Sequence, residues 1–321
     1  MDHGFFRVIS PARFCELLRG FAPVDAEILP LNDCLGRVLA EDILSGDDIP
    51  ALDRSCMDGY AVRAADTFGA SEGNPAYVEL ARSAAIDEVV SRPLHSGECM
   101  GIATGGSLPP GADAVIMVEH TQMLGDATVE IRKTVTPGEN VMLKGEDVGQ
   151  GQVAVPAGRR LRPQDVGLMA AIGCTSARVY RRPRCGVVST GDELVPVDSV
   201  PRPGQIRDVN SHTLACMARQ SGALVRAHGL VPDVREALQG ALVRCLEEND
   251  VVFISGGSSI GTRDLTIEVL ESFADSEILA HGVSISPGKP TILARVGGKP
   301  VLGLPGQVTS AQIVKIGRAH V

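Results

Sequence analysis

Two segments of the chain share one arrangement of residues, and this arrangement strongly limits the fold. Each runs from a β-branched apolar stretch through a serine and glycines to acidic residues: Cys185-Gly-Val-Val-Ser-Thr-Gly-Asp-Glu-Leu194 and Val251-Val-Phe-Ile-Ser-Gly-Gly-Ser-Ser-Ile-Gly-Thr-Arg-Asp264. A continuous apolar run predicts a buried parallel strand, and glycines after it let backbone N–H groups approach a ligand. Parallel strands end at one edge of a sheet, so we expect Asp192, Glu193 and Asp264 at the edge that binds ligands.

A later turn adds a positive charge to this predicted edge. Ser286-Pro-Gly-Lys-Pro290 combines two prolines with a glycine, so it predicts a rigid turn that presents Lys289. Backbone N–H groups, carboxylates and an ammonium group together favour a site for phosphate-like groups and a cation.

Helical and apolar runs alternate between and beyond the two segments. Asn210 or Ser211 is predicted to cap a helix, and residues 224–230 are predicted to form the strand that follows it. Alternation at this length predicts right-handed βαβ units and an α/β fold with a mostly parallel sheet. Residues 291–296 and 300–304 are predicted to form a hairpin.

The first half of the chain has a different pattern. Ser10 before Pro11 predicts the start of a helix, and a second short helix is predicted from Leu31, Leu35, Val38 and Leu39. From residue 48 to about residue 140, glycines, prolines and short alternating runs predict a separate β-rich region. Helical spacing returns over residues 161–173.

Composition narrows the classes of function. With 321 residues, of which 44% are hydrophobic and 21% charged, the chain is long enough for two or three globular domains. The net charge of −9 argues against nonspecific nucleic-acid binding. The eight cysteines form no C-x-x-C pair, and no apolar stretch approaches the length of a membrane span, which predicts a cytoplasmic protein that contacts no membrane.

Six motifs occur in an order that resembles the molybdopterin molybdenumtransferase family, which comprises MoeA and the gephyrin E domain. The resemblance covers about residues 5–314, and a chance match of six motifs in register is very improbable. The motifs are Ser55-Cys-Met-Asp-Gly-Tyr-Ala-Val-Arg63, Ala103-Thr-Gly-Gly-Ser-Leu-Pro-Pro-Gly-Ala-Asp-Ala-Val-Ile-Met-Val118, Ser189-Thr-Gly-Asp-Glu-Leu194, Ser255-Gly-Gly257, Pro287-Gly-Lys-Pro290 and Gly303-Leu-Pro-Gly306.

The resemblance implies a multidomain α/β fold. Its parts are a molybdopterin-binding, mostly parallel α/β sandwich domain, an inserted β-rich domain and a helical lever-like domain. The implied boundaries are 1–48 and 143–181 for the lever-like domain, 49–142 for the β-rich domain and 182–314 for the α/β domain.

The resemblance also implies an activity and partners. Members of the family insert molybdate into adenylylated molybdopterin and release AMP with the help of Mg²⁺, and they act as elongated homodimers. Implied partners are the upstream molybdopterin adenylyltransferase and apo-molybdoenzymes.

Candidate site residues follow from the matched motifs and from the anionic character of both substrates. The resemblance places the β-rich domain, with Asp58 and Thr104, over the partner subunit's α/β site. The candidate catalytic residues are Asp58, Thr104, Asp192 and Glu193; the candidate magnesium ligands are Asp192, Glu193 and Asp264; the candidate substrate-binding residues are Ser189, Gly191, Ser255, Gly256, Gly257, Ser258, Pro287, Gly288, Lys289 and Pro290.

Structural roles compete with these assignments. Asp192 or Asp264 can cap a following helix, and Lys289 can be a solvated turn residue. Asp58 can be a turn residue that bonds its own backbone, and Thr104 can supply only a turn hydroxyl.

Two other functions remain open at this point. One is a scaffold that binds the pterin without turnover, and the other is the preceding adenylyltransferase, which shares the α/β fold. The transferase should release AMP without consuming ATP, whereas a scaffold should release no AMP and the adenylyltransferase should consume ATP.

The chain departs from the commonest family pattern in three places. Thr262 and Arg263 stand where an acid often precedes Asp264, Ser286 stands where a basic residue is frequent, and Gln307-Val308 replaces Asn-Pro. At these positions the chain lacks one carboxylate and one cation of the family pattern. The sequence therefore does not decide between molybdate and tungstate, or how the altered loop affects activity.

The last seven residues, 315–321, are predicted to be non-native. Lys-Ile-Gly-Arg-Ala-His-Val can be encoded by a common sequencing-adapter sequence, and the small C-terminal β domain of the family is not matched. We therefore expect the natural chain to continue differently after residue 314.

Overall fold

The computed structural model describes residues 8–256 and 265–316, without the side chains of residues 315 and 316. The chain divides into two compact units. Met1–Glu27 and Val179–Val321 form the first, and Ile28–Arg178 forms the second. The four domain boundaries implied by the resemblance stay predictions.

The regular elements are numbered in chain order. The helices are α1 (Pro11–Arg19), α2 (Pro163–Ala171), α3 (Asn210–Gln220), α4 (Arg235–Glu248), α5 (Leu265–Glu271) and α6 (Val308–Ile316). The strands are β1 (Ala26–Pro30), β2 (Val38–Leu39), β3 (Ile43–Leu44), β4 (Arg54–Ser55), β5 (Gly59–Val62), β6 (Ala76–Ser83), β7 (Glu98–Ile102), β8 (Ala114–Met117), β9 (Thr121–Leu124), β10 (Thr128–Ile131), β11 (Val141–Met142), β12 (Val153–Val155), β13 (Ser176–Tyr180), β14 (Arg184–Thr190), β15 (Leu194–Val195), β16 (Ile206–Arg207), β17 (Leu224–Val231), β18 (Val251–Ser255), β19 (Ser276–His281), β20 (Ile292–Val296) and β21 (Lys299–Leu304).

The first unit is built on a six-stranded sheet with the order β17-β14-β18-β21-β20-β19. Strands β17, β14, β18 and β21 are parallel, and β20 and β19 complete the sheet with antiparallel pairing. This confirms the predicted mostly parallel α/β sheet. The predicted hairpin is also confirmed, because Val296 pairs with Lys299 across Gly297 and Gly298.

Both faces of this sheet are covered by helices. Val252 and Ile254 point to a core formed with α4 and α5, whereas Phe253 between them packs into a second core with α1, α3 and α6. Successive side chains of a strand point to opposite faces, so a strand buried on both sides must be apolar throughout. This explains why β18 reads as a continuous apolar run.

The second unit contains the predicted β-rich region. Its largest sheet has six strands in the order β8-β5-β7-β6-β10-β9, and the core beside it includes Val62, Ile116 and Ile131. Shorter pairings join β11 to β4 and β12 to β3, and a three-stranded sheet has the order β1-β13-β2. The predicted helix over residues 161–173 is confirmed as α2, with Pro163 at its first position.

Two local predictions were wrong. The second short helix is instead a single 3₁₀ turn at Leu31–Asp33 followed by β2. Gly36 has a φ of 73°, and the backbone N–H of Leu39 donates to the carbonyl of Arg159, so long-range backbone bonds replace the helical ones. The cap of α3 is also different, and Asp208 is the residue whose carboxylate accepts from the N–H of Ser211.

The apolar segments are short by membrane standards. Among the helices that the structure describes, none is long and apolar enough to cross a bilayer.

Candidate functional site

A cavity of about 880 Å³ opens at the carboxyl edge of the parallel strands in the first unit. Its volume is within the usual range for small-molecule sites. The lining residues at and beyond the carboxyl ends of β14, β18 and β21 include Thr190, Gly191, Glu193, Ser255, Gly256, Gly306, Gln307 and Ser310, and others are Asp208, Asn210, Asp233 and Pro290. Among the predicted substrate-binding residues, Gly191, Ser255, Gly256 and Pro290 are thus brought together.

Gly256 allows the loops after β14 and β18 to approach closely. A Cβ atom at this position would lie 2.0 Å from the carbonyl oxygen of Thr190, and the φ of Gly256 is 109°. Only glycine fits such a conformation and contact. The predicted role of this glycine in bringing backbone to the cavity therefore has a steric basis.

The acids of this edge differ in what holds them. The Asp192 carboxylate accepts from the backbone N–H of Asp233, and the Asp233 carboxylate accepts from the hydroxyl of Thr190. Asp192 thereby connects two loops at the sheet edge, whereas Glu193 lines the cavity itself.

The predicted metal site is only partly described. Gly257, Ser258 and Asp264 lie outside the residues that the structure describes, as do Thr262 and Arg263. Within the described ranges, no group of three or more His, Cys, Asp or Glu side chains is placed to hold a metal ion. The set of Asp192, Glu193 and Asp264 stays a prediction.

The Lys289 turn is held by its backbone, not by its lysine side chain. The Thr291 hydroxyl donates to the carbonyl of Gly288 at 2.7 Å, and a Cβ atom on Gly288 would lie 2.6 Å from Val314. Lys289 is exposed, and no described residue forms an ion pair or hydrogen bond with its ammonium group. Pro287 is exposed as well, while Pro290 lines the cavity.

Asn210 is a cavity residue that the sequence did not identify as such. Its side-chain N–H₂ group donates to the hydroxyl of Ser255 at 2.6 Å and to the carbonyl of Gly306 at 2.7 Å. It was predicted only as a helix cap. Its position shortly after the strand-loop motif and at the start of α3 is the signal that identifies it, because helix starts in α/β folds face the carboxyl edge.

Gln307, at one of the departures from the family pattern, caps α6. Its side-chain oxygen accepts from the backbone N–H and the hydroxyl of Ser310, at 2.7 and 2.6 Å. The altered residue therefore retains the capping chemistry of an amide at this helix start.

Asp58 and Thr104 meet in the second unit. The Asp58 carboxylate accepts from the backbone N–H of Thr104 at 2.7 Å and from its hydroxyl at 2.9 Å. These bonds lower the pKa of Asp58, the backbone N–H contributing most, so the exposed carboxylate is ionised at neutral pH. The turn at residues 55–57 is closed by the Ser55 hydroxyl instead, which leaves Asp58 to bond a residue distant in sequence.

Comparisons with known proteins agree with the motif order. Residues 9–173 match the family described as "MoeA N-terminal region (domain I and II)", and residues 186–315 match the one described as "Probable molybdopterin binding domain". The molybdopterin biosynthesis moeA protein from Pyrococcus horikoshii has 31% sequence identity and a TM-score of 0.72, over 98% of this chain and 79% of that one.

Curated relatives carry one activity in their names. The molybdopterin molybdenumtransferase of Haemophilus influenzae is 34% identical over 91% of this chain and 70% of its own length. That of a Nostoc species is 36% identical over 88% of this chain, which spans 65% of the relative's length. The chain therefore belongs to the molybdopterin molybdenumtransferase family.

Proposed function

We propose that this chain inserts molybdate into adenylylated molybdopterin and releases AMP. The observation that carries the proposal is the cavity at the carboxyl edge of the sheet, which lies within the segment that matches a molybdopterin-binding domain. Curated relatives with the name molybdopterin molybdenumtransferase support the same activity.

The cavity offers groups suited to anionic substrates. The start of α3 lies at Asn210 on its wall, and a helix N-terminus favours negative charge. The Ser255 hydroxyl lies beside Asn210, and the backbone at Gly256 also lines the cavity. The exposed ammonium group of Lys289, next to the cavity residue Pro290, is the proposed contact for molybdate or phosphate. A charge-assisted hydrogen bond from the ammonium group would orient the anionic substrate and offset its negative charge.

We also propose a magnesium site, which includes two carboxylates of one turn. Mg²⁺ is usually held by one or two carboxylates together with substrate phosphates, so Asp192 and Glu193 suit it as a donor pair, with Asp264 as the third predicted ligand. When bound, the ion supplies positive charge to the phosphate oxygens while the anhydride bond breaks. AMP release that is unchanged after removal of Mg²⁺ by EDTA would contradict this part of the proposal.

Asp58 is proposed to act on the reaction from the second subunit of a homodimer. Loss of AMP requires a water oxygen to add to phosphorus while the AMP oxygen leaves with the electron pair of the broken bond. An ionised carboxylate can orient that water and accept its proton, and the two hydrogen bonds from Thr104 hold the Asp58 carboxylate in place. We further propose a cytoplasmic location, with the molybdopterin adenylyltransferase and apo-molybdoenzymes as partners.

The decisive experiment supplies purified chain with molybdate and adenylylated molybdopterin and measures AMP by chromatography. We expect AMP release that depends on molybdate and consumes no ATP. Binding of the pterin without AMP release would indicate a scaffold, and ATP consumption would indicate an adenylyltransferase.

A further inference from the structure

Asn210 connects the loops that follow two neighbouring parallel strands. One N–H of its side-chain amide donates to Ser255 at the end of β18, and the other donates to Gly306, just after β21. Both residues line the cavity, and Asn210 itself is buried. The amide therefore lies where a small change of hydrogen bonding alters the cavity wall.

The partners of this amide fix the direction of the bond to Ser255. The carbonyl of Gly306 can only accept, so the nitrogen of the amide must face it. The same nitrogen lies 2.6 Å from the Ser255 oxygen, which must then accept the second N–H. No described residue accepts the hydroxyl proton of Ser255, so this proton is available for donation, and Ser255 borders the cavity.

This orientation leaves the other end of the amide unpaired. The side-chain oxygen of Asn210 is buried and has no hydrogen-bond partner among the described residues. Leaving a buried carbonyl oxygen unpaired is unfavourable, and a native structure retains such a group where another requirement prevails. Here the retained interactions are the two N–H donations.

We propose that Asn210 is a positioning residue that makes the Ser255 hydroxyl a hydrogen-bond donor to an anionic oxygen of the substrate. The inference rests on the proposed function, because the anion is a phosphate or molybdate oxygen of that reaction. The hydroxyl of Ser255 touches the substrate, and Asn210 acts through it.

The test is a double-mutant cycle on ligand affinity. The dissociation constant of AMP, the reaction product, is measured by calorimetry for the wild type, Asn210→Ala, Ser255→Ala and the double variant. A hydrogen bond to a charged group contributes enough to change affinity about tenfold or more, so we expect Ser255→Ala to weaken AMP binding by about tenfold. Asn210→Ala is expected to lose part of this, and the double variant to bind about as well as Ser255→Ala alone.

Asn249 supplies the matched control. It is also a buried asparagine of the first unit, and its amide nitrogen lies within hydrogen-bond distance of three groups: the Cys245 carbonyl, the Cys245 thiol and His228. Asn249 is not among the residues that line the cavity. Asn249→Ala is expected to lower the melting temperature and leave AMP affinity unchanged. Equal losses of affinity in Asn249→Ala and Asn210→Ala would show a merely structural role and overturn the proposal.

The outcomes separate the inference from the proposed function. Additive losses in the cycle, or AMP affinity unchanged in Asn210→Ala, overturn the role of Asn210 even where wild-type chain releases AMP. AMP that binds to the wild type but is never released from the adenylylated substrate overturns the proposed function alone. Where Asn210→Ala does not fold, Ser255→Ala decides, and AMP affinity equal to the wild type then overturns the inference.

Discussion

The ends of β14 and β18 have the same arrangement of residues, but the serine hydroxyls at these ends have opposite roles in hydrogen bonding. Ser189 and Ser255 are paired in register on adjacent parallel strands, and both are almost fully buried. The hydroxyl of Ser189 donates to the Asp208 carboxylate at 3.1 Å, whereas that of Ser255 accepts from the Asn210 amide. The Ser189 hydroxyl donates its proton to Asp208, whereas no acceptor for the Ser255 proton lies among the described residues.

This difference arises from a single short segment, residues 208–210. It supplies an acid to one serine and an amide to the other, and it leads directly into α3. A carboxylate only accepts hydrogen bonds, whereas an amide nitrogen donates them, so the partner decides the role of each hydroxyl. A serine-glycine loop is therefore not sufficient to define a ligand contact.

The prediction with the largest expected effect concerns Asp58 in the second unit, which can be compared with Asp208. Thr104 donates to Asp58 as Ser189 donates to Asp208, but Asp58 is exposed and able to meet a substrate. Asp58→Asn should slow AMP release by about a hundred- to ten-thousandfold, the usual range for a group that transfers a proton. Pterin affinity should be retained, as measured by calorimetry.

Asp66 is the matched control for Asp58. Its carboxylate likewise accepts from one hydroxyl and one backbone N–H, those of Ser96 and Gly97, in the same unit. Asp66→Asn should release AMP at the wild-type rate. Full turnover by Asp58→Asn would leave Asp58 with a structural role only.

The second prediction concerns a contact made by charge, in contrast to the hydroxyl contact of Ser255. Lys289→Ala should weaken molybdate and pterin binding by roughly tenfold to a hundredfold, as expected for a charge-assisted hydrogen bond. The melting temperature should not change, because no described residue bonds to the ammonium group. Lys144→Ala removes an exposed ion pair with Asp48 and is the control. Calorimetry that finds equal affinity in Lys289→Ala would identify a solvated turn lysine.

The third prediction tests the engaged serine. Ser189→Ala removes one of two donors to the buried Asp208 carboxylate, so it should lower the free energy of unfolding by about 1–3 kcal/mol. Its loss of AMP affinity should be smaller than that of Ser255→Ala. Urea unfolding and calorimetry measure the two effects, and the reverse order of affinity losses would support the sequence-based assignment of Ser189 as a substrate contact.

The contrast between these serines also shows which features of the site could be predicted from the sequence. The parallel sheet and its hairpin were predictable because period and composition are local properties. Gly191 and Gly256 follow predicted strands, whereas Pro290 was identified from the Pro287-Gly-Lys-Pro290 motif. Asn210 was predicted only as a cap, since its partners Ser255 and Gly306 are 45 and 96 residues away. The short helix near Leu35 was wrong for a similar reason, because distant backbone groups took its hydrogen bonds.

The last and smallest effect concerns the ionisation of Asp58. Two bonds from Thr104 lower its pKa, so they stabilise the folded protein above the carboxyl's ordinary pKa, and this stabilisation is lost as the pH falls through the lowered value. Thr104→Val removes only the hydroxyl bond. The pKa of Asp58 should therefore rise toward its ordinary value but remain below it, because the backbone N–H, the larger cause, still donates. Titration of the carboxyl carbon by NMR measures this shift, and Thr104→Ser, which keeps the hydroxyl, should titrate like the wild type. A Thr104→Val protein with an unchanged Asp58 pKa would show that the hydroxyl does not hold the carboxylate in solution, and the likeness to Ser189 and Asp208 would then be lost.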